Sequence, residues 1–296
     1  MNRKRTILMY GRSRSGKSTL IGELAESLYK ETGKPTLVYS IDKGGVGPLY
    51  PYIELGIVEV ISQDDSEPWI FLNNACKGKV RKEGKWVTGT PESYAMIAFE
   101  SMTGFADALM ADLAVKSANG VNIGGSGNIN FVVQGDGETL KVGGSNMGHY
   151  NVVQTRILDE LWKSQKLNVP YIVWTASASR DDDQTAGGKV IGPAVVGKAL
   201  TAEIPRHFDL TFRLDCLPAA AGKPEQHILY LGNSVDVAAG NAVGLGNTRV
   251  PLGAELPTSI NPASLVKALK AIEQAETKVM EDIKKRLSNT KIEVRA

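Results

Sequence analysis

The segment Gly11-Arg12-Ser13-Arg14-Ser15-Gly16-Lys17-Ser18 fits GxxxxGK[ST], the pattern of a phosphate-binding loop. Its flanks agree with that reading. An apolar run at 6–10 precedes it, and residues 17–30, which place Leu20, Ile21, Leu24 and Leu28 on one helical face, follow it. Glycines let backbone N–H groups turn inward around a phosphate, and the helix aims the positive end of its dipole at the same place. Lys17 supplies a point charge for the β- and γ-phosphates, and the Ser18 hydroxyl suits Mg²⁺. Residues Gly11, Arg12, Ser13, Arg14, Ser15, Gly16, Lys17, Ser18 and Thr19 are therefore the expected nucleotide contacts.

Further short apolar runs rich in β-branched residues stand at 36–41, 56–61, 94–99, 169–175 and 208–214, with helical patterns between them, as at 102–116. Strands alternating with helices predict an α/β fold with a mainly parallel sheet. Two stretches break the rhythm. Residues 62–92 include Lys77, Lys79, Arg81, Lys82 and Lys85 beside Trp86, with a turn expected at Gly84, and read as a basic β-hairpin. Residues 119–148, rich in glycine and asparagine, alternate around Gly135-Asp136-Gly137 and read as a second hairpin. Near the end, Asn261-Pro262 reads as an N-cap and first-turn proline for an amphipathic helix reaching about Leu287. The expected organisation is one domain over 1–260, with insertions at about 62–92 and 119–148, and a C-terminal helix over 261–296.

A nucleotide hydrolase needs acids at the ends of neighbouring strands to support the metal and activate water. Asp42 closes one predicted strand and Glu100 another, both at the C-terminal edge where ligands bind such sheets. Spacing does not divide metal support from water activation between them; either acid could instead cap the next helix. The polar run 175–180 after the strand at 169–175 is a place for a γ-phosphate sensor or an ordinary loop. Asp181, Asp182 and Asp183 read as a solvated loop, since three consecutive acids cannot all face one ion. Lys189, Lys198 and Arg206 are candidates for a cation reaching across a subunit junction.

Composition rules out little. With 42% apolar and 22% charged residues the chain is of ordinary globular type, and its net charge of +2 announces no nucleic-acid binder. Any polynucleotide contact must come from local basic clusters. The five cations around Trp86 are one, suited to phosphates and a stacked base, although edge strands also carry lysine to stay soluble. Only Cys76 and Cys216 occur, with no CxxC or Cys/His cluster, so neither a disulfide framework nor a zinc site is signalled. His149, His207 and His227 lie far apart in sequence and read as structural. No uninterrupted apolar stretch is long enough for a membrane helix, and the apolar run near the N-terminus is too short for a signal core, so the cytoplasm is expected.

The order of these features resembles the phage-encoded, RecA-like P-loop ATPases of AAA type, phage nucleotide-binding proteins that include single-strand-annealing recombinases. The likeness rests on the loop at 11–19, Ser40-Ile41-Asp42-Lys43-Gly44-Gly45, Phe99-Glu100-Ser101-Met102-Thr103, and the block from Gly192 to Pro205 before Phe208-Asp209. It implies a RecA-like core binding ATP and Mg²⁺, Lys17, Glu100 and Asp42 in catalysis, and Ser18, Asp42 and Glu100 toward the metal. It also implies a homo-oligomer acting on single-stranded DNA in recombination, repair or replication, in the host cytoplasm, with a phage or host protein as a further partner and no membrane. Two departures bear on hydrolysis. The family commonly shows Asp-Ser where Glu100-Ser101 stands, and an acid where Lys43 and Gly44 stand, which implies slow turnover or a larger share for Asp42. The alternative is a nucleotide-dependent assembly or packaging protein whose insertions grip another polypeptide. A small-molecule kinase would need an arginine-rich lid, and beyond Arg180 none is apparent.

Overall fold

Successive side chains of a strand point to opposite faces, so a strand buried on both faces feeds two cores at once. The strand Arg5–Gly11 (β1) does this, sending Leu8 and Tyr10 into one core and Ile7 and Met9 into the other. The computed structural model describes residues 4–41, 45–63, 67–118, 130–135, 138–143, 147–182, 189–219, 224–236 and 242–289.

After β1 come the helix Lys17–Thr32 (α1), strand Thr36–Ser40 (β2), helix Tyr50–Glu54 (α2), strand Val58–Ser62 (β3) and helix Pro68–Cys76 (α3). Strands Lys79–Lys82 (β4) and Lys85–Thr88 (β5) precede strand Met96–Glu100 (β6) and helix Met102–Ala118 (α4). Strands Asn130–Gly135 (β7) and Glu138–Gly143 (β8), helix Met147–Ser164 (α5), and strands Tyr171–Asp182 (β9) and Lys189–Pro193 (β10) follow. The remainder is helix Lys198–Glu203 (α6), strands Leu210–Leu217 (β11), Gln226–Tyr230 (β12), Ser234–Asp236 (β13), Ala242–Gly244 (β14), Asn247–Thr248 (β15) and Ser259–Ile260 (β16), and helix Leu265–Asn289 (α7).

β3, β2, β6, β9, β1 and β11 lie side by side, each parallel to its neighbour, and antiparallel strands extend the sheet at both β9 and β11. This mainly parallel sheet, with the phosphate-loop strand inside it, has the expected α/β arrangement. Two hairpins, β4–β5 and β7–β8, and a long C-terminal helix accompany it. Residues 136 and 137, at the centre of the second hairpin, lie outside the described residues.

One core joins the sheet to α3, α4 and α5. Within it Phe99 stacks on Trp174 with ring centroids 4.2 Å apart, and Phe105 and Phe71 continue the aromatic cluster. The other core joins the opposite face to α1 and α7 through Leu20, Ile21, Leu24, Leu265, Leu269 and Ile272.

Three local features differ from the sequence pattern. The segment 62–92 holds, before its hairpin, the helix α3, whose Phe71, Leu72, Ala75 and Cys76 are buried; Pro68 opens it, where a missing N–H costs nothing. The N-cap of α7 is Ser264 rather than Asn261: the Ser264 hydroxyl accepts the Lys267 N–H at 3.2 Å. Ser264 is held there by Glu23 of α1, whose carboxylate accepts from its hydroxyl and, at 3.0 Å, from the Leu265 N–H. Third, β9 does not end at Thr175 but runs to Asp182, because β10 pairs with its second half and satisfies that backbone.

Candidate nucleotide-binding site

The loop between β1 and α1 is shaped by close packing on one side and by backbone sign on the other. At Gly11 the chain lies between Ser177 of β9 and Leu214 of β11. A Cβ there would stand 2.2 Å from the Leu214 carbonyl oxygen, so no side chain fits. Gly16 has φ 98°, a left-handed conformation that a side chain would strain. No side chain caps α1, so the helix begins with its first N–H groups and its dipole directed at the loop, an arrangement that favours an anion.

Lys17 is buried and its ammonium donates to the carbonyl oxygens of Gly11 and Arg12, each at 3.0 Å. The Ser15 N–H donates to the Arg12 carbonyl at 3.2 Å, closing the turn, and Ser15 is fully buried. Arg12, Ser13, Arg14 and Thr19 are exposed around this floor.

Glu100 ends β6, 4% exposed, and its Oε1 accepts a hydrogen bond from the Ser18 hydroxyl at 3.3 Å. β9 separates β6 from β1 in the sheet, so this contact reaches across an intervening strand. The two residues 82 positions apart thus share one point at the C-terminal edge. A neutral hydroxyl beside an anionic carboxylate is a donor set suited to Mg²⁺. The Ile41 N–H donates to the Glu100 carbonyl at 2.9 Å, which ties the end of β2 to the same edge. Asp42, Lys43 and Gly44 lie outside the described residues.

The other sequence candidates are dispersed. The run 175–180 lies within β9: Thr175 is buried, and the Ser177 N–H donates to the Thr103 hydroxyl at 2.9 Å, which donates in turn to the Ala194 carbonyl at 2.6 Å. Asp181 and Asp182 end that strand rather than forming a loop, and Asp183 lies outside the described residues. Lys189 is exposed at the start of β10, Arg206 is exposed in the 3₁₀ turn Ile204–His207, and the Lys198 side chain is outside the description.

In the basic hairpin, Glu83 (φ 51°) and Gly84 (φ 76°) form a two-residue turn with both residues left-handed. Lys77, Lys82 and Lys85 are exposed. Trp86, however, packs edge-on against buried Phe71 at 5.6 Å between centroids, and the Arg81 guanidinium sits 4.7 Å over its ring. These contacts spend the ring on anchoring the hairpin to α3, so the stacking part of the sequence reading is not supported.

One contact at the loop was not anticipated. The His227 Nδ1 lies 2.9 Å from the Ser15 carbonyl oxygen, and since a carbonyl only accepts, that nitrogen carries the proton. His227 stands opposite Cys216 in the antiparallel register of β11 and β12. The Cys216 thiol donates to the Glu225 carboxylate, which pushes the thiol up to about 11 and keeps it protonated near neutrality. Sequence spacing could not show the Ser15–His227 contact, which joins residues 212 positions apart.

No described helix is long and apolar enough to cross a membrane. A comparison with curated proteins gave no match. Among solved structures the chain is similar to the RadB recombinase, at 14% identity, covering 81% of this chain and 90% of that one, with a TM-score of 0.41. It is also similar to a KaiC-like protein from Pyrococcus horikoshii OT3, at 9% identity, covering 82% and 88%, with a TM-score of 0.39. Residues 3–243 match the AAA domain family, and that span contains the phosphate loop, Ser18 and Glu100 described above. The chain belongs to the AAA domain family and is a P-loop ATPase.

Proposed function

We propose that this ATPase binds Mg-ATP at residues 11–19 and couples slow hydrolysis to single-stranded DNA, as a homo-oligomer serving phage-type recombination, repair or replication. The observation that carries the nucleotide part is the Ser18–Glu100 hydrogen bond, which assembles a hydroxyl and a carboxylate beside the loop lysine. Ser18 and Glu100 would hold Mg²⁺, which would supply neutralisation of phosphate charge. The loop N–H groups and Lys17 orient the triphosphate. Because Glu100 is engaged with Ser18, metal support falls to Glu100, and Asp42 takes the proton of the attacking water. The proposal assigns exposed Lys77, Lys82 and Lys85 to the phosphates of a single strand, with no base stacking asked of Trp86.

The experiment is ATP turnover with and without single-stranded DNA, on the wild type and on Lys17→Ala. Turnover that rises with DNA and vanishes in Lys17→Ala agrees with the proposal. Three lysine–phosphate contacts predict that log affinity falls against log salt with a slope of about −2, and that Lys77→Ala/Lys82→Ala/Lys85→Ala flattens it. Turnover indifferent to DNA but raised by a protein partner would transfer the proposal to an assembly or packaging role.

A further inference from the structure

The β11–β12 hairpin carries a cluster that the nucleotide chemistry does not use. Cys216, Glu225 and His227 each offer a ligand atom, and these atoms lie within 4.8 Å of one another. The strand geometry explains the meeting. Cys216 and His227 are direct cross-strand partners, so their side chains share a face, and Glu225 precedes His227 by two positions, the spacing that returns to the same face. Leu214 and Leu229 form the next pair along that face and pack in the core with α1. The face therefore looks toward the phosphate loop.

We propose that Cys216, Glu225 and His227 bind a divalent transition metal of the zinc class, and that occupancy is felt at the phosphate loop through His227. Thiolate, imidazole and carboxylate together favour zinc over Mg²⁺ or Ca²⁺, and three protein donors leave a fourth position for water. The His227 Nδ1–H is already committed to the Ser15 carbonyl at 2.9 Å, which leaves Nε2 as the ligand nitrogen. A metal-bound histidine commonly has its second nitrogen fixed in this way by a carbonyl or carboxylate.

Tetrahedral zinc requires sulfur and nitrogen donors at about 3.5 Å from one another, given bond lengths near 2.3 and 2.0 Å. The exposed Glu225 and half-buried Cys216 close that gap by side-chain rotation. On binding, the Cys216 S–H bond breaks, its proton passes to solvent, and the sulfur lone pair bonds the metal. The hydrogen bond from Cys216 to Glu225 is exchanged for two metal–ligand bonds. The metal then pins His227, and through it the Ser15 carbonyl on the floor of the loop.

The test is a Co²⁺ titration of the full chain after chelator treatment, without nucleotide, following the thiolate-to-cobalt charge-transfer absorption. One equivalent should produce the band, and Zn²⁺ should bleach it. Cys216→Ser should abolish it, Glu225→Gln should weaken binding at least tenfold, and Cys76→Ser, in the buried core, should retain it. Circular dichroism of each variant establishes that it is folded. Cobalt at Ser18 and Glu100 would meet only oxygen and give no such band, so the result is independent of the nucleotide reading. Absence of the band in folded wild type, or its survival in Cys216→Ser, would overturn the metal site. Affinity for a fluorescent nucleotide should differ at least threefold between zinc-loaded and zinc-free protein, and not in His227→Gln. Equal affinities in the wild type would overturn the coupling.

Discussion

Ser18, in the first turn of α1, donates its hydroxyl hydrogen to Oε1 of Glu100 at 3.3 Å, reaching across β9, the strand that lies between β1 and β6. This pairing makes a clear distinction between charge and shape at position 100. Glu100→Gln keeps an oxygen for Ser18 and the same volume but removes the negative charge. Turnover should fall at least about 100-fold, the ordinary size of a lost preorganised charge, and the Mg²⁺ concentration needed for half-maximal turnover should rise. A variant that hydrolyses at the wild-type rate would show that Glu100 only anchors Ser18.

Gly11 and Gly47 provide a matched pair for the packing argument. A Cβ at Gly11 meets the Leu214 carbonyl at 2.2 Å, whereas one at Gly47 meets nothing within 4 Å. Gly11→Ala must separate β1 from β11 and should cost about 1–3 kcal/mol, read as a lowered melting temperature. Gly47→Ala should melt with the wild type. Equal melting of the two variants would contradict the close approach at the loop entrance.

The C-terminal helix is tied to the loop strand by an ion pair. The Arg5 guanidinium is bidentate to Glu276, with Nη1 at 3.0 Å from Oε1, and the two side chains are 6% and 16% exposed. Breaking a pair this buried leaves a cation without its anion, at a cost of about 3 kcal/mol. Denaturant unfolding of Glu276→Ala should show that loss, and a loss well under 1 kcal/mol would mean solvent reaches Arg5.

Glu160 offers a pH test. Its side chain is fully buried on α5; Oε1 accepts from Lys163 at 2.8 Å, and burial, outweighing that bond, raises its pKa in the folded state. A folded pKa above the unfolded one means the folded state holds this proton more tightly. Its contribution is therefore favourable in acid and is lost as pH rises from the unfolded value of 4.5 through the raised folded value. Glu160→Gln should stabilise the protein by on the order of 1 kcal/mol above that window, with the advantage shrinking toward pH 4. A constant difference across pH would remove burial as the cause.

What the sequence showed and what it hid follow from the range of the interactions. β1, the loop and α1 were legible because a motif, an apolar run and a helical stripe lie within thirty residues of one another. Glu100 was legible as a strand-end acid and was grouped with Ser18 at the metal, but their direct hydrogen bond was not legible, since that depends on which strand lies between. The continuation of β9 was hidden because Ala178, Ser179 and Arg180 are polar or small, and only pairing with distant β10 makes them a strand. α3 was hidden by its shortness, although Pro68 marked its start. The Cys216–His227 pairing follows from antiparallel register alone, which no spacing of residue types encodes. Asn261 was a plausible cap by type, and Ser264 took the position because Glu23 of another helix fixes it.

The length of β9 carries a mechanical consequence. Its first half is clamped between β6 and β1, and its second half leaves them to pair with β10, which in turn pairs with β14. Ser177, level with Gly11, sits where β9 passes from its pairing with β1 to its pairing with β10. The peripheral strands β10 and β14 are thus carried on the same strand that borders the phosphate loop at Gly11, like a bracket fixed to a shared beam.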